Sequence, residues 1–226
     1  MRPFSVGFVI FPNLTQLDFT GPLQVLSRLP NSQTHIIAKQ AQPVPSDCGL
    51  SLVPTCTFAE APQLDLICLP GGGTGVAEAI GDGETVAFVR EKAKDAQYVT
   101  SVCTGAFILG AAGLLQGKRA TTHWAYVDLL PLVGAIYEKG RIVRDGNVVT
   151  AGGVTSGVDF ALSIVAALAD EPTARKIQLG IEYDPDPPFD SGSPDQVPPD
   201  LKAAVLARSE AARSSLQATI TELRAS

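Results

Sequence analysis

A chain of 226 residues, 45% apolar and 18% charged, is long enough to bury one substantial core and shows none of the bias of a disordered or collagen-like polypeptide. Its 17 Lys and Arg against 23 Asp and Glu leave a net charge of −6, which argues against a general nucleic-acid or anionic-membrane surface and favours a small, neutral partner. No apolar run reaches the length of a membrane span, and the first residues run into a strand without a charged leader and cleavage site, so the cytoplasm is the expected location.

In chain order, residues 6–11 read as an apolar strand of the kind buried on both faces of a parallel sheet. Pro12-Asn13 ends it, and Leu23, Val25, Leu26 and Leu29 follow at helical spacing, with Pro22 placed in the first turn. Asp18 then lies near the carboxyl end of the strand, where a capping carboxylate is the simplest reading. Residues 35–39 form a second strand in which His35 is structural, and 42–54 a Pro- and Gly-punctuated hairpin. Residues 64–69 are a buried strand with Cys68 as core packing, followed by the loop Pro70-Gly71-Gly72-Gly73-Thr74-Gly75. A helix over 84–96 leads to a β-rich run over 99–102, the turn Cys103-Thr104-Gly105, and an Ala-rich helical segment.

Further on, 118–124 reads as a strand leading into a turn, and Trp124 starts a short helix through Leu130. Asp145-Gly146, flanked by β-branched runs, marks a hairpin over 141–150. Gly152-Gly153 ends it, and a long apolar helix opens with Thr155 and Ser156 as natural caps. Another helix covers 171–181. Residues 1–183 thus form one α/β domain, the Pro- and Asp-rich 184–200 an extended strap, and 201–226 a helix docked on the domain or on a partner subunit.

Strands alternating with helices predict a doubly wound, mainly parallel sheet, which binds ligands outside the carboxyl ends of its strands. Asp18, the 71–75 loop, Cys103 and the Gly152-Gly153 turn all fall at such ends. A cysteine at a strand-to-helix junction meets unpaired N–H groups and the positive end of a helix dipole, both of which favour a thiolate. Alone, the segment equally allows a small buried apolar residue; the convergence of four features favours a catalytic Cys103. The glycine loop lacks a phosphate-binding Lys-Ser/Thr and ends in Val76 where a dinucleotide fingerprint has its third glycine, so its N–H groups are better matched to a developing negative charge. The four cysteines, Cys48, Cys56, Cys68 and Cys103, contain no Cys-x-x-Cys pair and lie far in sequence from His35 and His123, so neither a disulfide scaffold nor a zinc site is expected.

The Cys103-Thr104-Gly105 elbow, the Pro70-Gly71-Gly72 turn, Thr121-Thr122-His123-Trp124, and the run from Thr150 through Gly152, Gly153 and Val154 to Asp159 resemble the DJ-1/PfpI superfamily. Within it, residues 16–22, 100–105, 110–126 and 192–195 resemble the bacterial isocyanide-hydrating branch. The resemblance covers nearly the whole chain. It implies a flavodoxin-like fold, a homodimer, no metal or organic cofactor, and water addition to R–N≡C to give an N-substituted formamide. It further implies Cys103 as nucleophile and Asp18 as the carboxylic acid/base beside it; since an ionised Asp18 beside a thiolate would be repulsive, one shared proton is expected, on Asp18 when Cys103 is charged. Backbone around Gly72, Thr104, Gly152 and Val154 would line the pocket.

Thr104 stands where superfamily proteases place a histidine, so no dyad forms from adjacent residues, and an orienting or interface role is expected for His123. Two other readings share the scaffold. A redox or carbonyl-stress protein, glyoxalase or deglycase, would use the same cysteine, but usually beside a glutamate. A transcriptional regulator would need an added basic helix-turn-helix region, which the acidic strap and single helix do not resemble.

Overall fold

The computed structural model describes residues 2–225. In chain order the elements are β1 Phe4–Val9, α1 Gln16–Leu26, β2 Ser32–Ala38, β3 Val44–Pro45, β4 Ser51–Leu52, β5 Cys56–Thr57 and β6 Leu66–Leu69. There follow α2 Gly73–Gly81, α3 Gly83–Ala93, β7 Tyr98–Val102, α4 Ala106–Ala111, β8 Arg119–Ala120, β9 Ile136–Tyr137, β10 Ile142–Asp145, β11 Val148–Ala151, α5 Ser156–Leu168, α6 Glu171–Gly180 and α7 Pro199–Ala225. Cys103–Gly105 and Trp124–Val133 are 3-10 segments.

The central sheet runs β10-β11-β7-β6-β1-β2-β5, parallel throughout except for the β10/β11 hairpin. β6 and β7 are buried at every residue, as strands covered on both faces must be; β6 reads as an unbroken apolar run, while β7 also buries Thr100 and Ser101. The helices pack in two groups, α1 with α5 and α6, and α2 with α3, α4 and α7, the arrangement that covers both faces of a doubly wound sheet. Chain order along the sheet reverses at β1: β2 lies on one side and β6 on the other. α1 leaves the end of β1 and the 70–72 turn leaves the end of β6, so both border the crevice where such sheets hold ligands.

Several local expectations are corrected. α1 begins at Gln16, so Pro22 sits in the helix interior instead of its first turn. Proline there removes the bond to the Asp18 carbonyl, yet its ring fits closely against α5, where a Cβ on Gly157 would lie 2.9 Å from Pro22 Cδ. The strand expected over 118–124 shrinks to Arg119–Ala120, which pairs with β9 outside the main sheet. The following turn runs past Leu130 to Val133, stopped by Gly134 in the left-handed conformation. Thr155 makes no capping bond at α5; its hydroxyl accepts from Arg141 at 3.0 Å, while the Ser156 hydroxyl is buried without a partner.

Residues 184–198 contain no helix or strand. α7 buries Leu216 and Ile220 and packs on α2 and the 124–133 segment, leaving Leu201 and Val205 exposed. Among the described residues no helix is long and apolar enough to cross a membrane.

Candidate active site

The elbow at Cys103 is shaped by its backbone. Cys103 has φ +56°, in the left-handed region that a residue with a Cβ occupies at a cost of about 1 kcal/mol or more. Two hydrogen bonds hold it there: its N–H donates to the Gly152 carbonyl at 2.8 Å, and its carbonyl accepts from the Thr122 hydroxyl at 2.7 Å. Gly105 completes the turn against the end of β6; a Cβ there would lie 2.7 Å from the Pro70 carbonyl oxygen and closer still to that of Leu69, so no side chain fits.

Asp18 reaches the same point from α1. It is fully buried, and its Oδ2 accepts from the Gly71 N–H at 2.9 Å. The Gly71 carbonyl in turn accepts from the Thr15 N–H at 2.8 Å, fastening the helix start to the 70–72 turn. The expected capping role does not apply: the bond from the Gln16 N–H goes to Asp47 at 3.2 Å, leaving the Asp18 carboxyl turned toward the crevice. A Cβ on Gly71 would lie 2.7 Å from Asp18 Oδ2, from Thr104 N and from Thr104 Oγ1, so the absence of a side chain is what lets these groups converge.

Burial dominates the electrostatics. It pushes the Asp18 carboxyl from 3.8 up to about 7, against the opposing pull of the Gly71 N–H and of the neighbouring Cys103 thiol, with Asp18 Oδ1 buried and without a hydrogen-bond partner. The Cys103 thiol is raised well above its ordinary range, first by burial and then by the Asp18 charge, with the Thr104 N–H and hydroxyl opposing. The thiolate expected from the helix terminus is therefore not the resting form: α4 starts only at Ala106, and desolvation outweighs its dipole. With one proton between them near neutral pH, sulfur holds it and the carboxyl is the group poised to accept it.

The remaining expected pocket residues are placed differently from one another. The Gly72 N–H donates to Thr104 Oγ1 at 3.0 Å and the Gly152 N–H to the Arg141 carbonyl at 2.9 Å, so neither is free to meet a developing charge. His123 lies beside Gly153, where a Cβ would be 3.1 Å from its Cδ2. Its Nδ1 accepts the Ala125 N–H at 3.2 Å, and burial lowers its pKa, so it is a neutral ring that starts the 124–133 turn. Gly152 and Val154, with Thr122, Trp124 and Val127, line a cavity of about 470 Å³ that meets the elbow through Thr122 and Gly152, both hydrogen-bonded to the Cys103 backbone. Another of about 500 Å³ opens at the β1 and β2 ends, among Ile10, Phe11, Lys39 and Val44, and neither cavity is lined by Cys103 or Asp18.

Sequence reading names Gly71, Thr122 and Gly105 only within motifs, without a part for each in shaping the elbow. The glycine run signalled close backbone approach without telling Gly71 from Gly72, and nothing in Thr121-Thr122 distinguishes the hydroxyl that binds Cys103. Among the described residues no group of three or more His, Cys, Asp and Glu is placed to hold a metal ion.

The DJ-1/PfpI family pattern matches residues 4–167. The chain is 55% identical over 221 residues to the isonitrile hydratase of Pseudomonas putida, covering 96% of this chain and 95% of that protein. A crystal structure of a ThiJ/PfpI family protein from Pseudomonas syringae superposes with a TM-score of 0.94 at 42% identity, covering 97% of this chain and 91% of that one. A DJ-1 superfamily protein from Salmonella typhimurium superposes with a TM-score of 0.71 at 27% identity, covering 82% of this chain and 100% of that one. On this evidence of pattern, sequence and fold together, the chain belongs to the DJ-1/PfpI family.

Proposed function

We infer that the protein is an isocyanide hydratase, a cysteine-dependent hydro-lyase that converts R–N≡C and water into an N-substituted formamide. The observation that carries this reading is the buried Asp18 carboxyl against the Cys103 thiol, in a chain 55% identical to an isonitrile hydratase over nearly its full length. An isocyanide carbon needs a nucleophile and a proton at the same atom, and this pair supplies both.

In the first step Asp18 takes the thiol proton as sulfur bonds to the isocyanide carbon, then delivers it to that carbon, giving the thioimidate Cys–S–CH=N–R. Asp18, again ionised, draws a proton from water as the water oxygen attacks the same carbon, and passes that proton to nitrogen. The tetrahedral Cys–S–CH(OH)–NH–R collapses: the hydroxyl proton returns through Asp18 to the departing sulfur, and the formamide leaves. The Thr104 N–H, beside the Cys103 sulfur, favours its charged form as the S–H bond breaks, while the Thr104 hydroxyl is held by Gly72. His123 has an orienting role.

The test is turnover of an aryl isocyanide, with the formamide identified by mass spectrometry, in wild type, Cys103→Ala and Asp18→Asn. Both variants are expected to be inactive; wild-type rates in both would overturn the mechanism. Two further features fit the same reading. Leu17, at 39% exposed, and Leu50, at 52%, are apolar side chains left to solvent on segments joined by the Gln16–Asp47 bond, which suits a second copy of this chain in a homodimer; a monomeric sedimentation coefficient would exclude it. All four cysteines are free, which suits the cytoplasm, and cell fractionation checks that location.

A further inference from the structure

The family pattern ends at residue 167, yet one wall of the cavity beside the elbow comes from well beyond it: Gly192, Ser193, Pro194 and Asp195 line it together with Trp124 and Val154. Trp124, Gly192, Ser193 and Pro194 also line a second cavity of about 260 Å³ with Leu201 and Val205 at the start of α7. The strap thus lies between two open volumes, with Ser193, Pro194 and Val197 only partly buried.

Its polar attachment is slight. Among the described residues the one ion pair from strap to body is Lys139–Asp195, with side chains 76% and 55% exposed. The Gln196 N–H to Ser193 carbonyl bond and the Asp195 N–H to Ser193 hydroxyl bond only shape a turn within the strap.

We propose that the strap segment 192–195, together with Trp124, is the specificity wall of the site, setting how large an isocyanide substituent is accepted, and that the Lys139–Asp195 pair holds the wall in place. The proposal rests on the hydratase reading. R–N≡C is linear, so R projects straight away from the carbon at Cys103, and the volume assigned to it is the cavity bounded by Thr122 and Gly152, both hydrogen-bonded to the Cys103 backbone. Trp124, Val127 and Val154 suit an aryl or branched alkyl group there. The cations at the rim, Lys139 and Arg141, are already paired with Asp195 and Asp159, which disfavours a charged one. Trp124 is a specificity residue in this scheme, and Lys139 and Asp195 are positioning residues that act through the strap.

Two readouts test the wall separately from the chemistry. The first is the ratio of kcat/KM for p-nitrophenyl isocyanide to that for methyl isocyanide in wild type, Asp195→Asn, Lys139→Met and Trp124→Phe. The second is the rate at which Cys103 is labelled by pyrenylmaleimide relative to N-ethylmaleimide, located by mass spectrometry, which needs no turnover. Breaking an exposed pair is expected to change both ratios about two- to fivefold toward the bulky reagent, and high salt is expected to do the same to wild type but not to Asp195→Asn. Trp124→Phe, which keeps an aromatic core contact, is expected to shift the substrate ratio without loss of folded protein. Unchanged ratios in all three variants would overturn the specificity wall while leaving the hydratase reading intact. Wild type inert toward both isocyanides, with the labelling ratio still shifted, would overturn the hydratase reading and leave the wall standing.

Discussion

Thr104 and Gly72 are hydrogen-bonded twice: the threonine hydroxyl accepts from the Gly72 N–H at 3.0 Å and donates to the Gly72 carbonyl at 3.3 Å. One hydroxyl thereby fastens the residue after the nucleophile to the turn that positions Asp18. Thr104→Val keeps the volume but strands a buried N–H, and is expected to cost about 1–3 kcal/mol in denaturant unfolding. Thr104→Ser, which retains the hydroxyl, is expected to stay within about 1 kcal/mol of wild type.

Asp18 makes activity and stability respond oppositely to one substitution. Its folded pKa of about 7 lies above the ordinary 3.8, so the folded state binds the extra proton; stability from this group is full below pH 4 and is lost as pH rises through 7. Asp18→Asn removes the buried charge and is expected to raise stability at pH 8 by about 2–4 kcal/mol while lowering kcat by about 100-fold or more. Chemical denaturation at pH 5 and pH 8 checks the sign, because the gain has to shrink at the lower pH.

The rate is expected to follow the singly protonated Cys103–Asp18 pair. For kcat/KM this means a rise through about pH 7 and no fall until well above 9, since burial holds the thiol proton. A profile that falls through pH 7 would assign the pair the wrong proton count.

Gly71→Ala tests the convergence point. The added methyl would press on the Asp18 carboxyl and on Thr104 at once, and the Thr104 N is backbone that yields little. The expected result is a folded protein destabilised by about 1–3 kcal/mol, with kcat reduced more than KM is raised.

His123→Gln is expected to reduce kcat by less than about tenfold, far less than loss of Asp18, because the ring is neutral and engaged with the Ala125 N–H. Steady-state kinetics of the two variants side by side decides it.

The doubly wound sheet was legible because β1 and β6 are largely apolar runs followed by Pro-containing turns, and such punctuation is local. Pro12-Asn13 after β1 and Pro70-Gly71 after β6 mark strand ends, and strand ends are where the crevice lies. What pattern could not show is partnership across the fold. Asp18 looks like a helix-start acid until Gly71, 53 residues away, takes its oxygen. Thr155 looks like a cap until Arg141 takes its hydroxyl. The raised Cys103 thiol has a related cause: a helix terminus is visible in sequence, whereas the depth at which it is buried is not.

The positive φ at Cys103 has an evolutionary consequence. Left to backbone preference alone, this position selects glycine, and Cys103→Gly should lose less stability than Cys103→Ala by about 1 kcal/mol, reversing the order found in ordinary helices and strands. Selection for a thiol, and the packing of its buried side chain, oppose that drift. A descendant of this gene freed from its chemistry would be expected to replace the cysteine with glycine or asparagine early, while Gly71 and Gly105, whose absence of a side chain the packing demands, persisted as the trace of a vanished active site.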